Sequence, residues 1–166
     1  MKDADSCTIE IALFQPDIAG NVGTLLRLSA CLGVPMHIIE PCGFPLGDRQ
    51  LRRAAMDYGG KAETTRHADW AHFHDNIAAG KQAAATNGAR RIIALDNPAP
   101  TSLYAFAFQP GDVLLAGSES AGLPENVRHL CDAAIAIPMQ PGFRSLNVAI
   151  ASAIALGEAL RQTRHC

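Results

Sequence analysis

Apolar residues in this chain fall into short runs divided by breaks that contain glycine or proline. "TIEIALF" (Thr8 to Phe14) alternates polar and apolar positions, closes on an apolar end and gives way to the turn formers of "QPDIAGN"; this is the pattern of a strand entering a loop. From Asn21, "NVGTLLRLSACLG" sets Val22, Leu25, Leu26, Leu28 and Leu32 at helical spacing, with Asn21 suited to capping the helix and Gly33 to ending it. "MHIIE" reads as a buried strand closed by Pro41. "GDRQLRRAAMDYG" reads as a short helix with Asp48 in the cap position, and an Ala-rich helical stretch follows around Asp69 to Thr86.

The second half repeats the rhythm with "RRIIALD", "DVLLAG" and "AAIAIPM", three apolar runs that each end in a loop. Strands alternating with helices predict an α/β fold built on a mostly parallel sheet with helices on both faces, and ligands at the carboxyl ends of the strands. The last helical stretch, "SLNVAIASAIALGEALRQ" (Ser145 to Gln162), is apolar around most of its circumference. A helix of that kind in a small domain predicts a second subunit against one side.

Composition sets bounds on this picture. With 166 residues, 48% hydrophobic and 18% charged, the chain has material for one core, so residues 1–166 are expected to form a single domain. "MKDADSCT" carries acids and no apolar run, and Asn147, Ser152 and Glu158 interrupt the most apolar stretch. Neither a signal peptide nor a membrane span is predicted, and a cytoplasmic location is expected. Cys7, Cys31, Cys42, Cys131 and Cys166 are odd in number and form no C-x-x-C pair; reduced, mostly buried thiols are expected in place of disulfides or a zinc ribbon. The net charge of −2 gives no general attraction to nucleic acid, but Arg49, Arg52 and Arg53 cluster.

Three loops combine glycine or proline with polar residues directly after apolar strands: "PDIAGNVGTLLR", "GSESAGLP" and "IPMQPGFRSLN". No G-x-G-x-x-G follows the first strand and no G-K-S/T occurs anywhere, which argues against an ordinary dinucleotide fold and excludes a P-loop. In "GSESAGLP", Gly117 and Gly122 permit close approach to a flat ligand and Glu119 can hold a hydroxyl or amino group; an ordinary strand-to-helix turn is the competing account. In the third loop Ile137 and Met139 can pack in the core or clasp an adenine, while Ser145 can cap the final helix. Arg27 shares the helical face of Asn21 near the loop end, where a surface ion pair is the competing account, as it is for Arg52 and Arg53. His67, His72 and His74 in "RHADWAHFHD" lack the spacing of a zinc motif and read as a solvated helix face, so no metal is expected.

Taken in order, these loops resemble the SPOUT class of RNA methyltransferases, specifically the small enzymes that methylate the ribose 2′-oxygen of the tRNA wobble nucleotide. "N-x-G-x-x-x-R" (Asn21, Gly23, Arg27) resembles the first motif of that family, "GSESAGLP" the second and "IPMQPGFRSLN" the third. "MHIIEPCGFPLGDRQLRRAAMDYGG" is similar to the wobble-modifying branch, and the likeness runs from about Ile9 to Gln162.

The resemblance implies a deep trefoil knot in the C-terminal part, an exception to the rule that chains avoid knots. It also implies S-adenosylmethionine bound bent in that knot, against Leu95, Gly117, Glu119, Gly122, Ile137, Met139, Ser145, Leu146 and Asn147. Arg27 matches the arginine assigned to deprotonation of the 2′-hydroxyl. A guanidinium is a poor base, so positioning of phosphate and ribose by Arg27 is the preferred account, with the base role either shared with that phosphate or arising from an unusually perturbed arginine. Asn21, Arg27, Arg52, Arg53 and Arg144 are expected to contact RNA, with Tyr58 extending that surface, and the anticodon stem-loop is expected to be read across a homodimer. One departure is Gly157 before Glu158, where wobble-branch relatives often carry tyrosine. The alternatives are a related enzyme acting on another RNA site such as ribosomal RNA, a non-catalytic knotted RNA-binding protein, and a flavodoxin-like nucleotide binder.

Overall fold

A computed structural model of the chain describes residues 9–47, 49, 53, 58, 60–83 and 90–164. Its centre is a seven-stranded sheet of β1 (Glu10–Phe14), β2 (Met36–Ile39), β3 (Thr64–His67), β4 (Ile92–Leu95), β5 (Thr101–Ser102), β6 (Val113–Ala116) and β7 (Ala133–Ala136). The strands lie in the order β3-β2-β1-β6-β4-β7-β5, and every pairing between them is parallel.

Alternation along the strands divides the interior into two cores. Ile11 pairs with Met36 and Leu114, and Leu114 pairs with Ile93, so one row of apolar side chains crosses four strands on one face. That face is covered by α1 (Ala19–Leu32) and α4 (Val148–Thr163). Ala12, Phe14, Ile39, Ala94 and Leu115 point the other way, toward Phe73 and Ile77 of α2 (Trp70–Ala83) and Val127 of the short α3 (Glu125–Arg128). A sheet buried on both sides needs runs such as "IALF", "MHII" and "VLLA", which is why those strands were legible.

Some local readings change. Gly33 ends α1 as expected, in a left-handed conformation with φ 62° and its N–H donating to the Ser29 carbonyl. The helix, however, begins at Ala19 after Ile18, with no side-chain cap; Asn21 lies inside its first turn and bonds elsewhere. The cap of α4 is Asn147, whose Oδ1 accepts from the N–H groups of Ala149 and Ile150, and not Ser145. β3 and β5 carry no pattern to read: three of four β3 residues are exposed at the sheet edge, and β5 has two residues. The expected helix with Asp48 in its cap position lies largely outside the described residues.

The histidine reading is corrected at one position: His72 and His74 lie on α2, with His72 exposed, but His67 belongs to β3. His67 is fully buried, and its Nε2 lies 2.9 Å from Nδ1 of buried His37. Nε2 of His37 lies 2.6 Å from Glu10 Oε2, which also accepts from the Arg90 guanidinium. Phe73 packs edge-on against both imidazoles, at centroid distances of 5.6 and 5.2 Å. The thiols differ from expectation too: Cys31 is exposed and Cys42 and Cys131 are half-buried, while Cys7 and Cys166 lie outside the described residues. Burial pushes Cys42 up to about 11 and Cys131 up to about 12, values that keep both protonated and unreactive near neutrality. Among the described residues no helix is long and apolar enough to cross a membrane.

This buried chain makes stability depend on pH. Burial, reinforced by His37, His72 and Arg90, pushes His67 down to about 4 from 6.5, so the unfolded chain takes up a proton that the folded chain refuses. Burial alone would raise Glu10, but the hydrogen bond from His37 and the charge of Arg90 outweigh it and hold the carboxyl below its usual value. Both effects have the same sign in different windows: the His67 contribution drains away as the pH falls from 6.5 toward 4, and the Glu10 contribution is lost below pH 4.5. The midpoint of thermal unfolding is expected to drop between pH 7 and 4.5 by roughly 5 °C or more. In His67→Gln that slope is expected to be visibly shallower; an unchanged slope assigns the acid sensitivity to other groups.

Candidate active site

All the strands run the same way, so the loops that leave their carboxyl ends gather at one edge of the sheet. The segments that follow β4, β6 and β7, together with the start of α1, enclose a cavity of about 510 Å³. Every residue expected to hold the methyl donor lines it: Leu95 at the end of β4; Gly117, Glu119 and Gly122 after β6; Ile137, Met139, Ser145, Leu146 and Asn147 after β7. Asn21 and Arg144 line it as well.

Hydrogen bonds hold the three loops together. Nδ2 of Asn21 donates to Glu119 Oε1 at 2.8 Å, and the Asp17 N–H donates to Glu119 Oε2 at 2.7 Å. Nδ2 of Asn147 donates to Asn21 Oδ1 at 3.0 Å, while its Oδ1 caps α4. Asp17 closes the circuit by accepting from the backbone N–H of Ser120 at 3.0 Å and from its hydroxyl. Those two bonds hold the Asp17 carboxyl below its usual range. Glu119 is therefore first a clamp between loops, each carboxylate oxygen already accepting one bond, with lone pairs left for a ligand.

The glycines shape this wall. A Cβ on Gly117 would come within 2.3 Å of the Gly122 carbonyl carbon and 2.6 Å of the Leu123 nitrogen, so the "GSESAGLP" loop folds back on itself across a position where only glycine fits. Ser118 and Gly122 exchange backbone hydrogen bonds of 2.9 and 3.2 Å that close the turn, and Gly122 adopts φ 67°. Apolar Leu95, Ile137, Met139 and Leu146 beside backbone and carboxylate groups form a wall suited to a flat heteroaromatic ring with a polar edge, and the volume lies in the usual range for cofactor sites.

Other expected residues lie apart. Arg27 is six residues beyond Asn21, about 9 Å along the helix axis and about 120° around it, so the two do not share a face as expected, and Arg27 is exposed outside the cavity wall. Its guanidinium carbon stands 5.3 Å from the centroid of the Tyr58 ring, and Lys61 Nζ lies 5.8 Å from the same ring, forming a cationic and aromatic patch. Arg53 is exposed and likewise does not line the cavity, and Arg52 lies outside the described residues. Sequence reasoning missed Asp17 and, in the wall, Ile18, Asp96, Asn97 and Ser118. Asp96 and Asn97 were signalled by their place just beyond "RIIAL", the end of a parallel strand; Asp17 was signalled only by being an acid in the first strand's loop.

Gly117→Ala is expected to force the loop open and to lower stability by about 1–3 kcal/mol, as overpacking does. Gly20→Ala, where the added Cβ meets nothing within 4 Å, is expected to leave stability unchanged or raise it. Denaturant unfolding of the two variants beside the parent checks both; equal loss in the two would remove the special status of position 117.

Known proteins match this arrangement. A protein of Beijerinckia indica named tRNA (cytidine(34)-2'-O)-methyltransferase is 49% identical over 153 residues, covering 92% of this chain and 90% of its own length. A protein of the same name from Escherichia coli K12 is 36% identical, with 93% of each chain covered. A solved structure concerned with the 2-OH methylation of C/U34 on tRNA superposes with a TM-score of 0.83 at 38% identity, covering 93% of this chain and 95% of that one. The SpoU methyltransferase AviRb from Streptomyces viridochromogenes, solved in complex with the cofactor AdoMet, gives a TM-score of 0.87 at 25% identity over 96% of this chain and 59% of its own. With the profile of the SpoU rRNA Methylase family matching residues 8–157, the chain belongs to that methyltransferase family.

Proposed function

We propose that this chain methylates the ribose 2′-hydroxyl of the wobble nucleotide, cytidine or uridine 34, in the tRNA anticodon, with S-adenosylmethionine as the methyl donor. The observation that carries the reading is the convergence of the three motif loops on one cavity, in a chain whose relatives of that name reach 49% identity over nearly their whole length. The donor, when bound, supplies an electrophilic sulfonium methyl group. Gly117, Gly122, Ile137 and Met139 give its adenine a close-fitting wall, and Glu119 offers remaining lone pairs to hydroxyl groups. Leu95, Leu146 and the start of α4 at Asn147 close the far side, with Ser145 between them and Arg144.

A 2′-hydroxyl becomes a useful nucleophile only as its proton leaves, and it must be held in line with the methyl group at near-attack distance. Asn21, fixed from both sides by Glu119 and Asn147, is a rigid contact at the mouth of the cavity. Arg144, whose carbonyl accepts from Asn97 Nδ2 at 3.2 Å, offers a cation beside the donor. Arg27, over Tyr58, positions a phosphate and ribose, and exposed Arg53 is a further phosphate contact; Arg52, also expected to contact RNA, lies outside the described residues. The proton is shared with that phosphate and is not taken by the guanidinium.

Part of this reading is a homodimer, and with it the knotted path of the C-terminal segments within one domain. Ile150 and Ile154 on α4 are 53% and 37% exposed, and exposed Gly157 continues their stripe one turn on. Glycine in place of a bulky aromatic there lets a second backbone approach closely. An uncovered stripe of this kind is expected to be buried against a second copy.

Incubation with methyl-labelled S-adenosylmethionine and unmodified bulk tRNA, followed by nuclease mapping, is expected to put the label on the ribose of nucleotide 34, with a loss of about a hundredfold or more in Arg27→Ala. Label at another nucleotide keeps the chemistry and moves the substrate. A perturbed-arginine base, the competing account of Arg27, predicts a pH–rate profile that shifts in Arg27→Lys; the positioning account predicts the same profile at lower rate. Ile150→Glu/Ile154→Glu is expected to sediment as a monomer, and a parent protein that is itself monomeric removes the dimer.

A further inference from the structure

A second cavity, of about 350 Å³, lies beside the first. Asn97, Ile137 and Met139 contribute to both, so the two cavities adjoin. Ser102, Gln140 and Phe143 belong to the second cavity alone.

Phe143 is 73% exposed, the most exposed large apolar side chain among the described residues. It is held there by a tight turn. Pro141 and Gly142 are the central residues, Gly142 has φ 94°, and the Phe143 N–H donates back to the Gln140 carbonyl at 3.4 Å, the arrangement of a type II turn. Proline fixes one central φ and glycine alone tolerates the other, so the ring stands on a pre-set support. Directly after it comes Arg144, a cation in the wall of the first cavity. Adjacent residues have Cα atoms about 3.8 Å apart, so an RNA phosphate held at Arg144 brings an unstacked base within reach of the ring.

We propose that Phe143 is a stacking platform for a nucleobase of the anticodon loop, and that Asn97, Ser102 and Gln140 form the polar wall against which the edge of that base lies. The inference rests on the RNA substrate proposed above and deepens it by naming the element that takes an unstacked base. Single-stranded RNA is recognised in this manner, by bases splayed onto aromatic rings with their edges met by amides and hydroxyls. A second copy of the chain fits less well as the occupant: the wall carries amide and hydroxyl groups and runs on into the donor cavity, whereas the uncovered apolar stripe is on α4.

The test is equilibrium binding of a fluorescein-labelled anticodon stem-loop, read by anisotropy, to the parent, Phe143→Ala, Phe143→Leu and Phe143→Trp. Calorimetry with S-adenosylhomocysteine and sedimentation of the RNA-free proteins accompany it. Alanine and leucine are expected to weaken RNA binding roughly tenfold, the loss of one base–aromatic stack, and tryptophan to restore it. Affinity for S-adenosylhomocysteine and sedimentation are expected to stay unchanged. Equal RNA affinity in Phe143→Ala overturns the proposal, as does rescue by leucine, which supplies bulk without a π face. Failure of the parent to bind the stem-loop overturns it too, and altered sedimentation of Phe143→Ala assigns the ring to a subunit contact instead. Methylation mapping of the parent keeps the two readings apart. Label at the wobble ribose with unaffected binding in Phe143→Ala sinks the stack and leaves the activity; label elsewhere with binding that depends on Phe143 does the reverse.

Discussion

In a sheet whose strands all run the same way, every connection must cross a face and every outgoing loop must emerge at the same edge. That constraint organises this protein. It buries the strands on both sides, which requires the apolar runs of β1, β2, β4 and β6 and divides the interior between α1 and α4 on one face and α2 and α3 on the other. It also brings to one place loops that begin roughly a hundred residues apart in the chain. Asp17 and Glu119 are separated by 102 positions and Asn21 and Asn147 by 126, yet both pairs are hydrogen-bonded.

Once gathered, the loops are held by a short polar circuit and not by a hydrophobic core. Glu119 accepts from Asn21 and from the Asp17 backbone, Asn147 donates to Asn21 while capping α4, and Asp17 accepts from Ser120. Asn21 joins Glu119 of one loop to Asn147 of another, so removing it leaves partners unpaired on two other loops, the condition under which partly buried networks couple their members. The fold-back at Gly117 supplies the remaining rigidity through steric exclusion. A cavity walled in this manner is pre-formed for a flat ligand and costs little reorganisation to fill.

The polar interior beneath α2 follows a different logic. Glu10, His37, His67 and Arg90 form a buried chain, with the aromatic edge of Phe73 against both imidazoles. Three strands and the segment before β4 contribute, and of the four residues only His37 falls in a stretch that carried the family resemblance. In sequence His67 sits with His72 and His74 and reads as part of a polar helix face; in space it ends edge strand β3 and turns inward, because position 67 pairs with Ile39 and shares its inward face.

Sequence determined what depends on local spacing. The apolar runs gave most strands, leucine periodicity with Gly33 gave α1, and the ordered glycine, proline and polar residues of three loops carried the family resemblance and the nine donor-site residues that line one cavity. The exceptions are those set by long-range partners. Whether Asn21 caps a helix or clamps a glutamate, whether Ser145 or Asn147 caps α4, and whether Asp17 and Asn97 join the site all turn on side chains brought together from distant positions. β3 and β5 escaped notice because edge strands need little apolar alternation. Periodicity and turn chemistry are properties of neighbours in the chain and can be read along it; hydrogen-bond partners and burial are properties of neighbours in space, and only the folded sheet chose them.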